Sequence, residues 1–289
     1  MKVIELYHAA VRQLREAGVD DADLEASFLL GHILDCGRVE LFLDRERGLD
    51  PAHAAAFTSL LNRRLRNREP LAYLIGEQEF WSRSFAVTPE VLIPRPETEQ
   101  LIDAVLAKVK SGPGVPSATI LELGSGSGVI PVVLALELPD AMVYSLDRSL
   151  AAIAIAARNA SRHGVADRVR FINSDWYGGL RPGPFFDLVV TNPPYVARKI
   201  EATLQPEVRL HEPSLALYGG EDGTTAIIRI CTGLGDFLKA GGWFFMEIGA
   251  DQGDFALDCL RRAGGYDQLA VLADYAGLPR IVQARRCGS

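Results

Sequence analysis

The chain has 289 residues and a mass of 31.5 kDa, more than one hydrophobic core ordinarily fills, so a large domain with a smaller companion is expected. At 48% hydrophobic and 23% charged residues it has a globular composition, which excludes disorder as the main state. The net charge is −7, divided as −2 before residue 75 and −5 after it, so neither part reads as a basic module that tracks a polyphosphate backbone.

No apolar run approaches the roughly 20 residues of a membrane span. Glu5, His8, Arg12 and Arg15 interrupt any signal-peptide core. Cys36, Cys231, Cys259 and Cys287 are far apart and form no CxxC, so neither a metal site nor a disulfide framework is expected. Together these features predict a cytoplasmic protein with no membrane partner, and nothing in them demands more than a monomer.

In chain order, residues 1–75 read as a small all-α helical bundle. Val3, Leu6, Tyr7, Ala10, Val11 and Leu14 follow the i, i+3, i+4, i+7 spacing of one buried face. Gly18 ends that helix, and Asp20 or Asp21 can cap the next. Asp50-Pro51 starts another, with proline in its first turn. Arg63, Arg64, Arg66 and Arg68 close that helix and suit either its C-terminal end with a solvated face, or docking of an acidic partner or RNA. Residues 76–96 are expected to form a β-hairpin linker, stiffened at its end by Pro94 and Pro96. A helix over 97–110 and a Ser/Gly/Pro linker over 111–117 open the remainder, 97–289.

From residue 118 strands and helices alternate. Strands are expected at 118–123, 142–146, 169–172, 186–190 and 243–248, and helices at 129–138, 150–163, 224–238 and 255–263. Residues 192–223 read as irregular and 268–283 as a β-rich tail. Such alternation builds an α/β fold with a doubly wound, mostly parallel sheet.

Three motifs fall at carboxyl ends of these strands, where such sheets bind ligands. Glu122-Leu123-Gly124-Ser125-Gly126-Ser127-Gly128 follows the first strand, and Val129 stands where a dinucleotide fingerprint needs its last glycine. The loop suits an amino-acid moiety whose ammonium meets Glu122 directly or through water, the other reading being a tight turn alone. Asp147 ends the second strand and can accept ribose hydroxyls, cap the following helix, or do both. Trp176, after the third strand, can flank an adenine ring or fill the core. Asn192-Pro193-Pro194-Tyr195 follows the fourth strand and is the sharpest signal. A planar –NH2 group can give one hydrogen to Asn192 Oδ1 and one to the Pro193 carbonyl, with Tyr195 stacked on its plane.

With Gly76-Glu77-Gln78-Glu79-Phe80, Ile93-Pro94-Arg95-Pro96-Glu97-Thr98, Glu212-Pro213, Gly219-Gly220-Glu221-Asp222-Gly223 and Glu247-Ile248-Gly249, these motifs resemble the HemK/PrmC family of peptide-chain release factor glutamine methyltransferases. The resemblance spans residues 1–285. It implies a Rossmann-like class I methyltransferase domain and S-adenosyl-L-methionine as cofactor, with release factors as protein partners. By the same resemblance Glu122, Gly124, Ser125, Gly126, Ser127, Gly128, Asp147, Trp176 and Asn192 would line the cofactor site. Asn192, Pro193, Pro194 and Tyr195 would hold the glutamine amide of a GGQ loop, and Arg95, Pro96, Glu97 and Thr98 would close near it. The family usually has Asp where this chain has Glu122. Glu247 has no evident task at this level, and His163 and His211 read as structural or solvated. The competing expectation is methylation of an exocyclic adenine amine in DNA or RNA, since adenine presents the same planar –NH2.

Overall fold

The computed structural model describes residues 2–111 and 117–288. The chain forms two compact units, Met1–Glu77 with Gln205–His211, and Gln78–Leu204 with Glu212–Ser289. The hairpin expected as a separate linker therefore counts almost entirely with the second unit. Most of the linker expected over 111–117 lies outside the described residues.

The first unit holds α1 (Val3–Glu16), α2 (Ala22–Leu34), α3 (Arg38–Leu43), α4 (Pro51–Asn67) and α5 (Leu71–Ile75). The six apolar positions named for α1 are all buried, against Leu29, Leu30 and Phe57 from α2 and α4. At the start of α4, Asp50 accepts a hydrogen bond from Ala52 N at 2.6 Å and Pro51 fills the first turn. The short α3 and α5 were not legible, because five or six residues give too few turns for a periodicity. The arginine cluster is mostly spent inside this unit. Arg64 is buried and grips Glu25 through two nitrogens at 2.6 and 2.9 Å and Glu207 at 2.8 Å. Arg68 pairs with Glu207, Arg63 pairs with Glu69, and Arg66 is exposed.

The second unit begins with a hairpin of β1 (Glu77–Phe80) and β2 (Arg83–Ala86). Its two turn residues, Trp81 and Ser82, both have positive φ, as a type I′ hairpin turn requires. Then come α6 (Pro96–Ser111), β3 (Thr119–Leu123), α7 (Val129–Glu137), β4 (Met142–Asp147), α8 (Leu150–Arg162), β5 (Val169–Asn173) and β6 (Phe186–Thr191). The stretch expected to be irregular contains α9 (Pro206–His211), which belongs to the first unit, and α10 (Ser214–Leu217). It is followed by α11 (Thr225–Gly233), β7 (Leu238–Glu247), α12 (Gly253–Ala263), β8 (Tyr266–Ala273) and β9 (Pro279–Arg286).

The helix expected over 224–238 is corrected here. Leu238 opens β7 and pairs with Phe186, after which the register jumps to Leu188 opposite Trp243. Ile227, Ile230, Leu234 and Leu238 keep a helical spacing across this change, which is why periodicity overran the helix end.

The sheet runs β5-β4-β3-β6-β7-β9-β8, with the first five strands parallel and β9 antiparallel to both neighbours. Two apolar layers cover it. Ile120, Val190 and Phe245 face α6 and α7, while Leu121, Val189 and Phe244 face α11 and α12. Strand side chains alternate, so Glu122 and Glu247 emerge on the α6 side at the carboxyl ends of β3 and β7. The strand order reverses direction at β3 and β6, the position where a doubly wound sheet opens a crevice.

Candidate active site

The glycine loop turns sharply at the end of β3. Gly124, Gly126 and Gly128 have φ of 88°, 50° and 83°, all in the left-handed region that side chains rarely enter. Gly128 is also held by packing, because a Cβ there would lie 2.9 Å from the Ala156 backbone of α8. Asp147 steadies the loop, accepting from Gly126 N at 3.0 Å and from Ser149 N at 2.8 Å. The N-cap of α8 is Ser149, which accepts from Ala152 N, and Asp147 in turn accepts from the backbone N of that cap residue. Burial pushes its carboxyl above the ordinary carboxylate range.

Glu122 is wholly buried. The Ser145 hydroxyl donates to its Oε2, while Oε1 has no hydrogen-bond partner. Burial pushes its carboxyl well above its ordinary value, only partly opposed by the Ser145 bond. A buried carboxylate oxygen left unpaired at a cavity wall is costly, and a cationic ligand group there would relieve it.

Asn192 follows β6, whose end is tied to β3 by a bond from the Thr191 hydroxyl to Leu123 O at 2.7 Å. It sits beside the glycine loop, since a Cβ on Gly124 would fall 3.7 Å from Asn192 O. Asn192 Nδ2 donates to Thr98 Oγ1 at 3.0 Å, and the Thr98 hydroxyl donates to Glu247 Oε2 at 2.8 Å. The Tyr195 hydroxyl donates to the other oxygen of Glu247 at 3.2 Å. Glu247 is fully buried, and burial pushes its carboxyl up to about 7, against the opposing effects of those two hydroxyl bonds and of Arg280. Burial likewise raises the Tyr195 hydroxyl far above its usual value.

The residues after the motif are clamped onto it. Val196 N donates to Leu217 O at 2.9 Å, and Gly219 N to Val196 O at 3.0 Å. Gly219 must lack a side chain, because a Cβ would meet Pro194 O at 2.4 Å. Gln252 Nε2 donates to Tyr195 O and to Gly223 O, fastening both segments from the residue that precedes α12. Glu212 accepts from Ile93 N at 3.2 Å and pairs with Arg95.

These elements enclose a cavity of about 500 Å³ at the carboxyl edge of the sheet. Of the residues singled out from the sequence, Glu122, Gly124, Ser125, Gly126, Ser127, Asp147, Trp176, Asn192, Pro194, Arg95 and Thr98 line it. Gly128, Pro96, Glu97, Pro193 and Tyr195 do not. Gly128 packs on α8, Pro96 and Glu97 begin α6, Pro193 is buried, and the Tyr195 hydroxyl is spent on Glu247. Trp176 is held at φ 52°, a conformation uncommon for an aromatic residue and often kept at functional sites. Leu215, Tyr218 and Arg229 also line the cavity and belong to none of the motifs read from the sequence. Leu215 and Tyr218 come from the segment read as irregular and Arg229 from α11, and only the folded chain brings them to the motif. His163 bonds to Ser84 O and stacks on Phe85, and His211 bonds to Asn67 O, in keeping with structural roles. Among the described residues no His, Cys, Asp or Glu cluster could hold a metal, and no helix is long and apolar enough to cross a membrane.

Residues 5–76 match the family model of the PrmC N-terminal domain, and residues 100–209 that of the methyltransferase small domain. The chain is 42% identical over 285 residues to a release factor glutamine methyltransferase of Cereibacter sphaeroides, covering 99% of both chains. It is 42% identical over 277 residues to one of Moorella thermoacetica, covering 96% of both. Among solved structures, a methyltransferase from Pyrococcus furiosus aligns with a TM-score of 0.53 at 18% identity, over 80% of this chain and 100% of that one, a likeness of fold. With near-complete coverage at this identity, the chain belongs to the family of release factor glutamine methyltransferases.

Proposed function

We propose that the protein transfers a methyl group from S-adenosyl-L-methionine to the side-chain amide nitrogen (N5) of the glutamine in the GGQ motif of class I peptide-chain release factors, in support of translation termination. The observation that carries this reading is the amide of Asn192 in the cavity wall, with its nitrogen tied back to Thr98 and Oδ1 left as an acceptor. An acceptor in that position suits a donor with two planar N–H groups.

The cavity fits the cofactor. Glu122 Oε1 lacks a partner and would take the ammonium group, the backbone of Gly124 to Ser127 would cradle the amino-acid portion, and Asp147 would take the ribose hydroxyls. Trp176 would flank the adenine. When bound, S-adenosyl-L-methionine supplies a methyl group made electrophilic by the positive sulfur. The chain's own contribution is placement and charge. A glutamine amide is a poor nucleophile because its lone pair is delocalised into the carbonyl. Asn192 Oδ1, accepting one of its two hydrogens, would turn the nitrogen toward the methyl and favour the positive charge that develops there, while the Pro193 carbonyl, expected to take the other, does not line the cavity. Pro194 would form the adjoining wall. Methylation releases one proton from that nitrogen, and no strong base is required for its loss. The Tyr195 hydroxyl is no base, since it already donates to Glu247. The partner is a protein, and the acidic balance favours neither extended nucleic-acid binding nor a membrane; a cytoplasmic monomer completes the proposal.

Mass spectrometry of a release factor incubated with the protein and S-adenosyl-L-methionine tests this. One added methyl on the glutamine of the GGQ peptide, absent with Asn192→Ala, is the expected result. Methyl transfer to adenine amines of added nucleic acid, with the peptide unmodified, would overturn it.

A further inference from the structure

We propose that Glu247 and Thr98 are positioning residues that set the amide orientation of Asn192, Glu247 by taking the Thr98 hydroxyl proton and Thr98 by thereby being left only lone pairs for Asn192. The inference rests on Asn192 acting as the acceptor in the reaction proposed above.

The asymmetry of the chain carries it. An ionised carboxylate only accepts, and a threonine hydroxyl has a single proton. With that proton given to Glu247 Oε2 at 2.8 Å, Thr98 Oγ1 must accept at its 3.0 Å contact with Asn192. The atom of Asn192 that faces Thr98 is therefore Nδ2, and Oδ1 is the atom left over. The second oxygen of Glu247 takes the Tyr195 hydroxyl, so one carboxylate holds both ends of the Asn192-Pro193-Pro194-Tyr195 segment from behind. Glu247 lies at the end of β7, on the face where strand alternation aims it at α6, and Thr98 sits in the first turns of that helix. This charge weakens the fold where it stands, since burial raises its carboxyl; its return is orientation.

Protonation reverses the chain. A neutral Glu247 can donate to Thr98, which can then donate to Asn192, and the amide is free to turn Oδ1 inward. The charged and titratable groups facing Glu247 are Tyr195 from the loop after β6, Arg280 from β9 and Glu97 from α6. The carboxyl lies at about 7, so the orienting charge fades as pH falls below neutral.

The test combines kinetics with a measurement that needs no methyl acceptor. In Thr98→Val the turnover number falls by about 10- to 100-fold while the dissociation constant for S-adenosyl-L-methionine stays within about twofold, and Thr98→Ser restores turnover. Glu247→Gln is slowed similarly and loses the acid limb of the wild-type pH–rate profile. Independently, nuclear magnetic resonance of ¹⁵N-labelled protein without substrate should show one Asn192 Nδ2 proton protected from exchange in the wild type and unprotected in Thr98→Val. Full turnover by Thr98→Val, or an unprotected Asn192 amide in the wild type at pH 8, would overturn the inference. A protected amide in a protein that methylates no release factor would instead overturn the substrate reading and leave the orienting chain intact.

Discussion

At the scale of single residues, the site spends stability on two buried carboxylates, Glu122 and Glu247. The Glu247 carboxyl lies at about 7 in the folded chain against an ordinary 4.5, so the native state holds its proton more tightly than the unfolded state. Its contribution to stability is complete below about pH 4.5 and is lost as pH rises through about 7. Glu247→Gln should therefore gain stability over the wild type as pH is raised from 5 to 8, by on the order of 3 kcal/mol. Urea unfolding at the two pH values measures it, and a difference that shrinks with pH would contradict the assigned burial cost. Asn192→Ala should lower the turnover number by about 10²- to 10³-fold with an unchanged melting temperature, read by methyl transfer and calorimetry.

At the scale of elements, the hairpin and the glycine loop are joined through one side chain of α8. Asn159 is fully buried, accepts from Ala86 N at 2.8 Å, and donates to Ala86 O at 2.9 Å and to Ser127 O at 2.8 Å. Three backbone groups lose their partner together if that amide is removed. Asn159→Ala should cost about 2–4 kcal/mol in chemical denaturation and weaken cofactor binding through the loosened Ser127 backbone, read by titration calorimetry. Asn159→Asp should be tolerated poorly as well, since a carboxylate cannot donate to the two carbonyls.

At the scale of the whole molecule, the chain leaves the second unit at Leu204, contributes Gln205–His211 to the helical unit and resumes the second at Glu212. Arg64, 4% exposed, is bound to Glu25 of α2 and to Glu207 of α9, so one guanidinium compensates two carboxylates far apart in sequence. Arg64→Ala should destabilise the helical unit by about 3–5 kcal/mol, because both acids are left without their buried partner. Thermal unfolding followed by circular dichroism tests this, and a shift no larger than that of the exposed Arg66→Ala would show the pair to be dispensable.

The local code of this protein was sufficient for its alternation of strands and helices, its hairpin, its helical N-terminal bundle and the placement of its glycine and Asn-Pro-Pro-Tyr loops at strand ends. Periodicity, turn residues and proline act within a few residues, so a single sequence exposes them. What the tertiary structure decided is how distant polar groups meet. Glu247 had no legible task because its partners, Thr98 and Tyr195, lie 149 and 52 positions away and are brought to it only by sheet order and strand alternation. The same holds for Glu212 under Arg95 and for Gly219 against Pro194. Of the arginine cluster, open from sequence to an acidic partner, Arg63, Arg64 and Arg68 find their acids inside the folded chain. Backbone preference is a property of neighbours, whereas the pairing of a buried charge depends on which segments the packed sheet brings into reach.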